Sequence, residues 1–192
     1  MSLTVAEMAI LGKLLEDHRP KLLAMLKRRI DPALAVRIDP EDVCNEVFIL
    51  AQRRWDSFNP DFPYAWLYRL AMDSLIECWR RQHRGPRNVE RDLPWPEGSS
   101  LQLCLSLVAP GTSPTAAARR HEVQEKMCQT LKLLKDADRH VLWMRFYEDL
   151  SYGEMAVVLG VTENAATVRC LRALQRLKRL WQQLNPDWGA DR

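Results

Sequence analysis

The stretch that decides the fold is "LSYGEMAVVLGVTENAATVRCLRALQRLK", Leu150 to Lys178. Ser151 suits the N-cap position, and Glu154 three residues later completes a capping box, in which two otherwise unpaired N–H groups are satisfied reciprocally. Met155, Ala156, Val158 and Leu159 then supply the apolar face of a short helix. Gly160 takes a left-handed backbone at little cost and stops that helix. Val161 plugs the corner, and Thr162 caps the next helix. A short helix, a glycine corner and a long helix in that order predict a helix-turn-helix.

At 100° per residue, the long helix sorts its side chains into distinct faces. Ala166, Cys170, Ala173, Leu174, Leu177 and Trp181 share the side that must face a core. Arg169, Arg172, Arg176 and Arg179 share another, three or four residues apart. Arginines on an exposed helix face suit phosphates, while Thr167, Val168 and Leu171 near the helix start suit base edges or thymine methyls. A basic amphipathic helix is by itself common and merely solvated. The capping box, corner glycine and second cap in register are what turn the reading towards DNA.

Outward from this stretch the chain is helical. Of its 192 residues, 28 % are charged, with 28 Lys plus Arg against 25 Asp plus Glu. A net charge of +3 is too small for affinity to nucleic acid to come from anything but local clustering. Period-2 alternation never persists. Asp39-Pro40-Glu41-Asp42 opens one helix, with an aspartate cap, a first-turn proline and acids at the positive helix end. Val43, Val47, Leu50, Ala51 and Trp55 form its apolar stripe, and Pro60 ends it. A second helix follows through "FPYAWLYRLAMDSLIECWRRQH", with Leu67, Leu70, Ala71, Leu75 and Cys78 facing one way.

Prolines 86, 94, 96, 110 and 114 then crowd into one stretch, which reads as a linker between two bodies. Within it "SLQLCLSLV" is apolar enough to dock rather than float. Ser113-Pro114 starts the second body, and Asp136 opens "DADRHVLWMRFYEDL". The expected architecture is all-α, with domains at 1–85 and 114–192 joined by a linker at 86–113.

Five dispersed cysteines without a CxxC pair argue against a disulfide framework and read as small core residues. There is no apolar run of ~20 residues to span a membrane, no secretory leader pattern, and a cytoplasmic location is expected. The four histidines are scattered away from any metal spacing, "HEVQE" lacks the second histidine of a zinc protease motif, and no glycine-rich phosphate loop occurs. Neither an enzyme nor a cofactor is expected.

The 136–178 segment closely resembles the C-terminal, −35-reading domain of extracytoplasmic-function (ECF) sigma factors of the sigma-70 family, a winged-helix-like helix-turn-helix. The matching positions are Leu150-Ser151-Tyr152, Glu154, Ala156, Leu159-Gly160, Arg169, Arg172-Ala173 and Leu177. Independently, "DPEDVCNEVFILAQRRWDSFNPDFPYAWLYRLAMDSLIECWRR" resembles the same family's N-terminal domain. The two resemblances stand in the family's order and cover most of the chain.

What the resemblance implies is transcription initiation with core RNA polymerase on promoter DNA, as a monomer within the holoenzyme and without membrane insertion. An anti-sigma factor is a possible further partner for such a protein. By carry-over, Asp42, Glu46, Val47, Leu50 and Arg53 face a coiled coil of the largest polymerase subunit. Tyr64, Trp66, Arg69, Asp73, Trp79, Arg80, Arg81 and Arg84 address the −10 element. Thr162, Glu163, Asn164, Thr167, Val168, Arg169, Leu171, Arg172, Arg176 and Arg179 address the −35 element.

Read without the family, several of these residues are ordinary: Val47 and Leu50 as core, Trp66 and Trp79 as buried aromatics. The chain also departs from the family pattern. Met72-Asp73 stands where Arg-Asn is usual, and aspartate only accepts where asparagine also donates. Thr167 stands where Lys or Arg is frequent and Leu171 where His or an aromatic is common, and fewer charges with more apolar contact predict an altered −35 sequence, not lost DNA binding. The rival reading is a stand-alone helix-turn-helix regulator, which would dimerise and bind a palindrome unaided.

Overall fold

A computed structural model of the chain describes residues 3–30, 35, 37–82, 99–107 and 114–186, without the side chains of Gln82 and 114–120. Among them are eight α-helices, one 3₁₀ turn and no strand. They form two compact units, the first built on α1 (Val5–Arg29), α2 (Pro40–Arg53) and α3 (Pro63–Gln82). The second holds α4 (Ser99–Leu107), α5 (Pro114–Lys132), α6 (Asp136–Phe146), the start of α7 (Tyr152–Leu159), and α8 (Glu163–Leu184).

In the first unit α1 begins at a capping box, with the Glu7 N–H donating to the Thr4 hydroxyl and Glu7 accepting from the Thr4 N–H. Asp39 caps α2 by accepting from the Glu41 N–H at 2.9 Å, with Pro40 in the first turn. The α2 stripe is buried at Val43, Val47 and Ala51, joined by Cys44. Leu50 and Trp55 are half-buried at its edge. Leu67, Leu70, Ala71 and Leu75 of α3 close the core against Leu22, Met25 and Leu26 of α1. Burying each of these leucines and the methionine stabilises by ~1.5–3 kcal/mol. Between α2 and α3 the chain turns through Trp55–Ser57, where Trp55 stacks on Phe58 at 4.6 Å and both meet Trp66 edge-on.

In the second unit α4 lies inside the stretch that the prolines mark as linker. Its Leu103 and Cys104 are fully buried, and it packs on α5 and α6. The apolar "SLQLCLSL" wins over the surrounding prolines because they flank it and none interrupts it. α6 and α8 pack through Val141, Leu142, Trp143, Ala166, Cys170, Ala173 and Leu177, all buried. The Trp143 indole N–H donates to Glu148 at 3.0 Å. Asp149 carries the one positive φ of a described non-glycine residue, 53°, a conformation that aspartate tolerates better than most.

Candidate nucleic-acid interface

The helix-turn-helix has the local geometry that its residues predict. The Ser151 N–H and hydroxyl both donate to the Glu154 carboxylate, at 2.8 and 2.9 Å, and the Glu154 N–H returns to the Ser151 hydroxyl. Gly160 sits at φ 63°, and the Val161 N–H reaches back to the Ala156 carbonyl at 3.0 Å, a closure of the helix end that a Cβ at position 160 would strain. Thr162 caps α8 by accepting from the Ala165 N–H.

α8 divides as its periodicity predicts. Ala166, Cys170, Ala173 and Leu177 are buried, while Leu174 and Trp181 are half-buried. Thr162, Glu163, Asn164, Arg169, Leu171, Arg172, Arg176 and Arg179 are exposed, with Thr167 and Val168 intermediate. Among the described residues no carboxylate pairs with Arg169, Arg172 or Arg179, so their charges face solvent. The Thr167 hydroxyl donates back to the Glu163 carbonyl at 3.0 Å, which leaves its methyl as the outward group.

Arg176 departs from the expectation of a phosphate contact. Its guanidinium donates to Asp138 at 2.6 Å, and Asp138 at the start of α6 is only 7 % exposed. The pair bolts the long helix to α6. Residues 38 positions apart in sequence leave no periodic signal of such a tie, which is why sequence reading misses it. Arg176→Ala strands a buried carboxylate and is expected to lower stability by roughly 1–3 kcal/mol, since the arginine half is solvent-facing. Chemical denaturation measures it. Arg179→Ala is expected to leave stability unchanged and to reduce the salt dependence of DNA binding by about one counterion.

In the first unit an open groove between α2 and α3 is lined by Glu46, Leu50, Arg53, Arg54, Asp73, Arg80 and Arg81. Asp42 and Arg53 are exposed, and Leu50 is half-exposed. Val47 is fully buried, so it is a core residue and cannot meet a partner in this structure. Glu46 is already engaged: it accepts from Ser74 at 2.7 Å, from Arg81 at 2.9 Å and from Cys78 at 3.4 Å.

Burial raises the Glu46 carboxyl, but the bonds from Ser74, Arg81 and Cys78 together outweigh it, and the net position is below the ordinary 4.5. The stabilisation is therefore complete above pH 4.5 and is lost as pH falls through the lower folded-state value. Glu46→Gln is expected to lower Tm by a few degrees at pH 7, with the gap closing below pH 4.5. Thermal scans across pH 3–7 test this.

The −10 candidates divide. Arg69, Arg80 and Arg81 are exposed on α3, and Arg84 lies outside the described residues. Tyr64, Trp66 and Trp79 are 5, 3 and 9 % exposed, so they are core and not open platforms for bases. Lys21 covers the Tyr64 ring face at 3.8 Å, and the Trp66 N–H is bonded to Ser57. Asp73 is held by Arg54 at 2.6 Å, a partner that sequence reading did not assign. That arginine offsets the charge that makes an aspartate a poor neighbour for phosphate.

Comparison with known proteins fits this division of the chain. Sigma-70 region 2 matches residues 14–85, and sigma-70 region 4 matches residues 125–177. The RNA polymerase sigma factor CnrH of Cupriavidus metallidurans is 30 % identical over 146 residues, 74 % of this chain and 73 % of its own. The chain belongs to the sigma-70 family.

The RNA polymerase sigma-H factor of Pseudomonas aeruginosa is 27 % identical over 171 residues, 87 % of this chain and 83 % of that protein. The ECF RNA polymerase sigma factor SigW of Bacillus subtilis is 26 % identical over 147 residues, 76 % and 77 % of the two chains. This sigma factor is of the ECF type, and it works with core RNA polymerase to start transcription at chosen promoters. No described helix is long and apolar enough to cross a membrane.

Proposed function

We propose that the two units divide promoter reading between them. The second unit lays α8 in the major groove of the −35 element, with Arg172 and Arg169 on base edges and Arg179 on phosphate. The observation that carries this is a correctly capped helix-turn-helix whose long helix exposes Arg169, Arg172 and Arg179 without carboxylate partners among the described residues, inside the segment that matches sigma-70 region 4.

The first unit meets polymerase through Asp42, Leu50 and Arg53 on α2 and holds −10 DNA through Arg69, Arg80, Arg81 and Arg84, with Asp73 at the rim of the same groove. Of the carried-over interface residues, Glu46 serves the fold of this unit. The chain supplies addressing alone; bond formation belongs to the polymerase, and the site of action is the cytoplasm, where both meet. An anti-sigma factor that covers α2 and the arginine face of α8 would silence both surfaces at once.

Run-off transcription with purified core polymerase on genomic fragments tests the whole reading, with start sites mapped afterwards. Transcripts sharing −10 and −35 sequences are the expected result. A protein that shifts a palindromic site alone, as a dimer, and ignores core polymerase would overturn it in favour of a stand-alone regulator.

A further inference from the structure

The seam between α4 and α5 holds two thiols side by side. Cys104 on α4 donates to the Gln124 carbonyl at 3.3 Å, and Cys128 on α5 donates to the Ser100 carbonyl at 3.7 Å. Each sulfur thus bonds the carbonyl one turn before the other cysteine, and the two side chains lean into the same space. The neighbouring Cys128 adds to the burial that raises the Cys104 thiol. Cys104 is fully buried, while Cys128 is partly exposed. The remaining cysteines have other surroundings: Cys44 and Cys170 are buried separately, and Cys78 is bonded to Glu46.

We propose that Cys104 and Cys128 form an oxidation site, closed to a disulfide by hydrogen peroxide and reopened by cellular thiols. The sulfur of the partly exposed Cys128 attacks a peroxide oxygen; the O–O bond breaks, the thiol proton leaves with the hydroxide as water, and Cys128 is left as a sulfenic acid. The Cys104 sulfur then attacks the Cys128 sulfur; the S–O bond breaks, and the Cys104 proton departs with the hydroxide as a second water. Two thiols and one peroxide give one disulfide and two waters, with each sulfur oxidised by one electron.

The order follows from the environment. Burial, and then the neighbouring Cys128, pushes the Cys104 thiol up to about 12, so it is protonated and shielded while its partner meets solvent. Closing the bond requires the two sulfurs to come to ~2 Å of each other, and the two helices that carry them already pack together. In a reducing compartment such a bond is transient and signals oxidant exposure. It would staple α4, the helix nearest the first unit in sequence, onto the body of the DNA-reading unit.

The test is peptide mapping of the full chain after treatment with hydrogen peroxide and alkylation of remaining thiols. A Cys104–Cys128 cross-link is expected, with Cys44, Cys78 and Cys170 alkylated, and dithiothreitol should remove it. The oxidised protein should melt higher by on the order of 10 °C, a shift absent from Cys104→Ala and Cys128→Ala. Mapping the unsubstituted protein does not depend on either variant folding. Both thiols alkylated after peroxide, Cys128 found as sulfinic acid beside a free Cys104, or a cross-link to another cysteine would each overturn the proposal.

Discussion

Arg172→Ala is expected to flatten −35 discrimination while leaving the protein as stable as before. The side chain is exposed on α8 with no carboxylate partner among the described residues, so its removal creates no cavity and orphans no buried group. A bidentate guanine contact is worth ~1–3 kcal/mol of preference over the wrong base. Its loss corresponds to roughly a 5- to 150-fold drop on the preferred promoter, with little change on one altered at the contacted base pair. Transcription from a set of single-base −35 variants, with Tm measured in parallel, reads both halves. Unchanged preference across that set would remove α8 from the base-reading role. A fall in Tm would mean that Arg172 acts as Arg176 does.

Trp66→Ala is expected to act on folding. The indole is 3 % exposed, meets Trp55 and Phe58 edge-on at 6.0 and 5.1 Å, and donates to Ser57 at 3.1 Å. Truncating a buried aromatic of this size costs ~3–5 kcal/mol, enough to lower Tm of so small a unit by more than about 10 °C. Trp66→Phe should recover part of that, since it keeps an aromatic ring in the core but loses the hydrogen bond and some ring volume. The opposite outcome is informative. A Trp66→Ala protein with normal Tm but defective promoter opening would show that the indole leaves the core to receive a base.

What sequence reveals here tracks the range of the interaction. The Ser151–Glu154 box, the Gly160 corner and the Thr162 cap involve residues three or four apart, so they are written in the local pattern and reappear as hydrogen bonds. The faces of α3 and α8 follow from a 3.6-residue period, and Leu67, Leu70, Ala71 and Leu75 on the one and Ala166, Cys170, Ala173 and Leu177 on the other are buried accordingly. Long-range polar ties leave no such trace. Nothing near Glu46 announces Ser74 and Arg81, nothing near Arg176 announces Asp138, and nothing near Asp73 announces Arg54. These ties also explain why carrying residues over by resemblance mixes surfaces with supports: Glu46 and Arg176 are exposed enough to bind a partner, yet each is occupied in holding two helices together. α4 is a different case, since its apolar residues are visible but prolines on both sides suggest an extended chain.

The leading end of α8 has one more consequence. With the Thr167 hydroxyl tied back to Glu163 and Leu171 49 % exposed, α8 placed in the groove as proposed would offer hydrocarbon between its arginines. Such a surface would sense the carbon at position 5 of a pyrimidine and not its polar edge, telling thymine from cytosine by a single methyl. A cytosine methylated at that carbon presents the same knob at the same depth. Promoters of this sigma factor that carry cytosine there would respond to the methylation state of the genome, with no residue set aside for reading that mark.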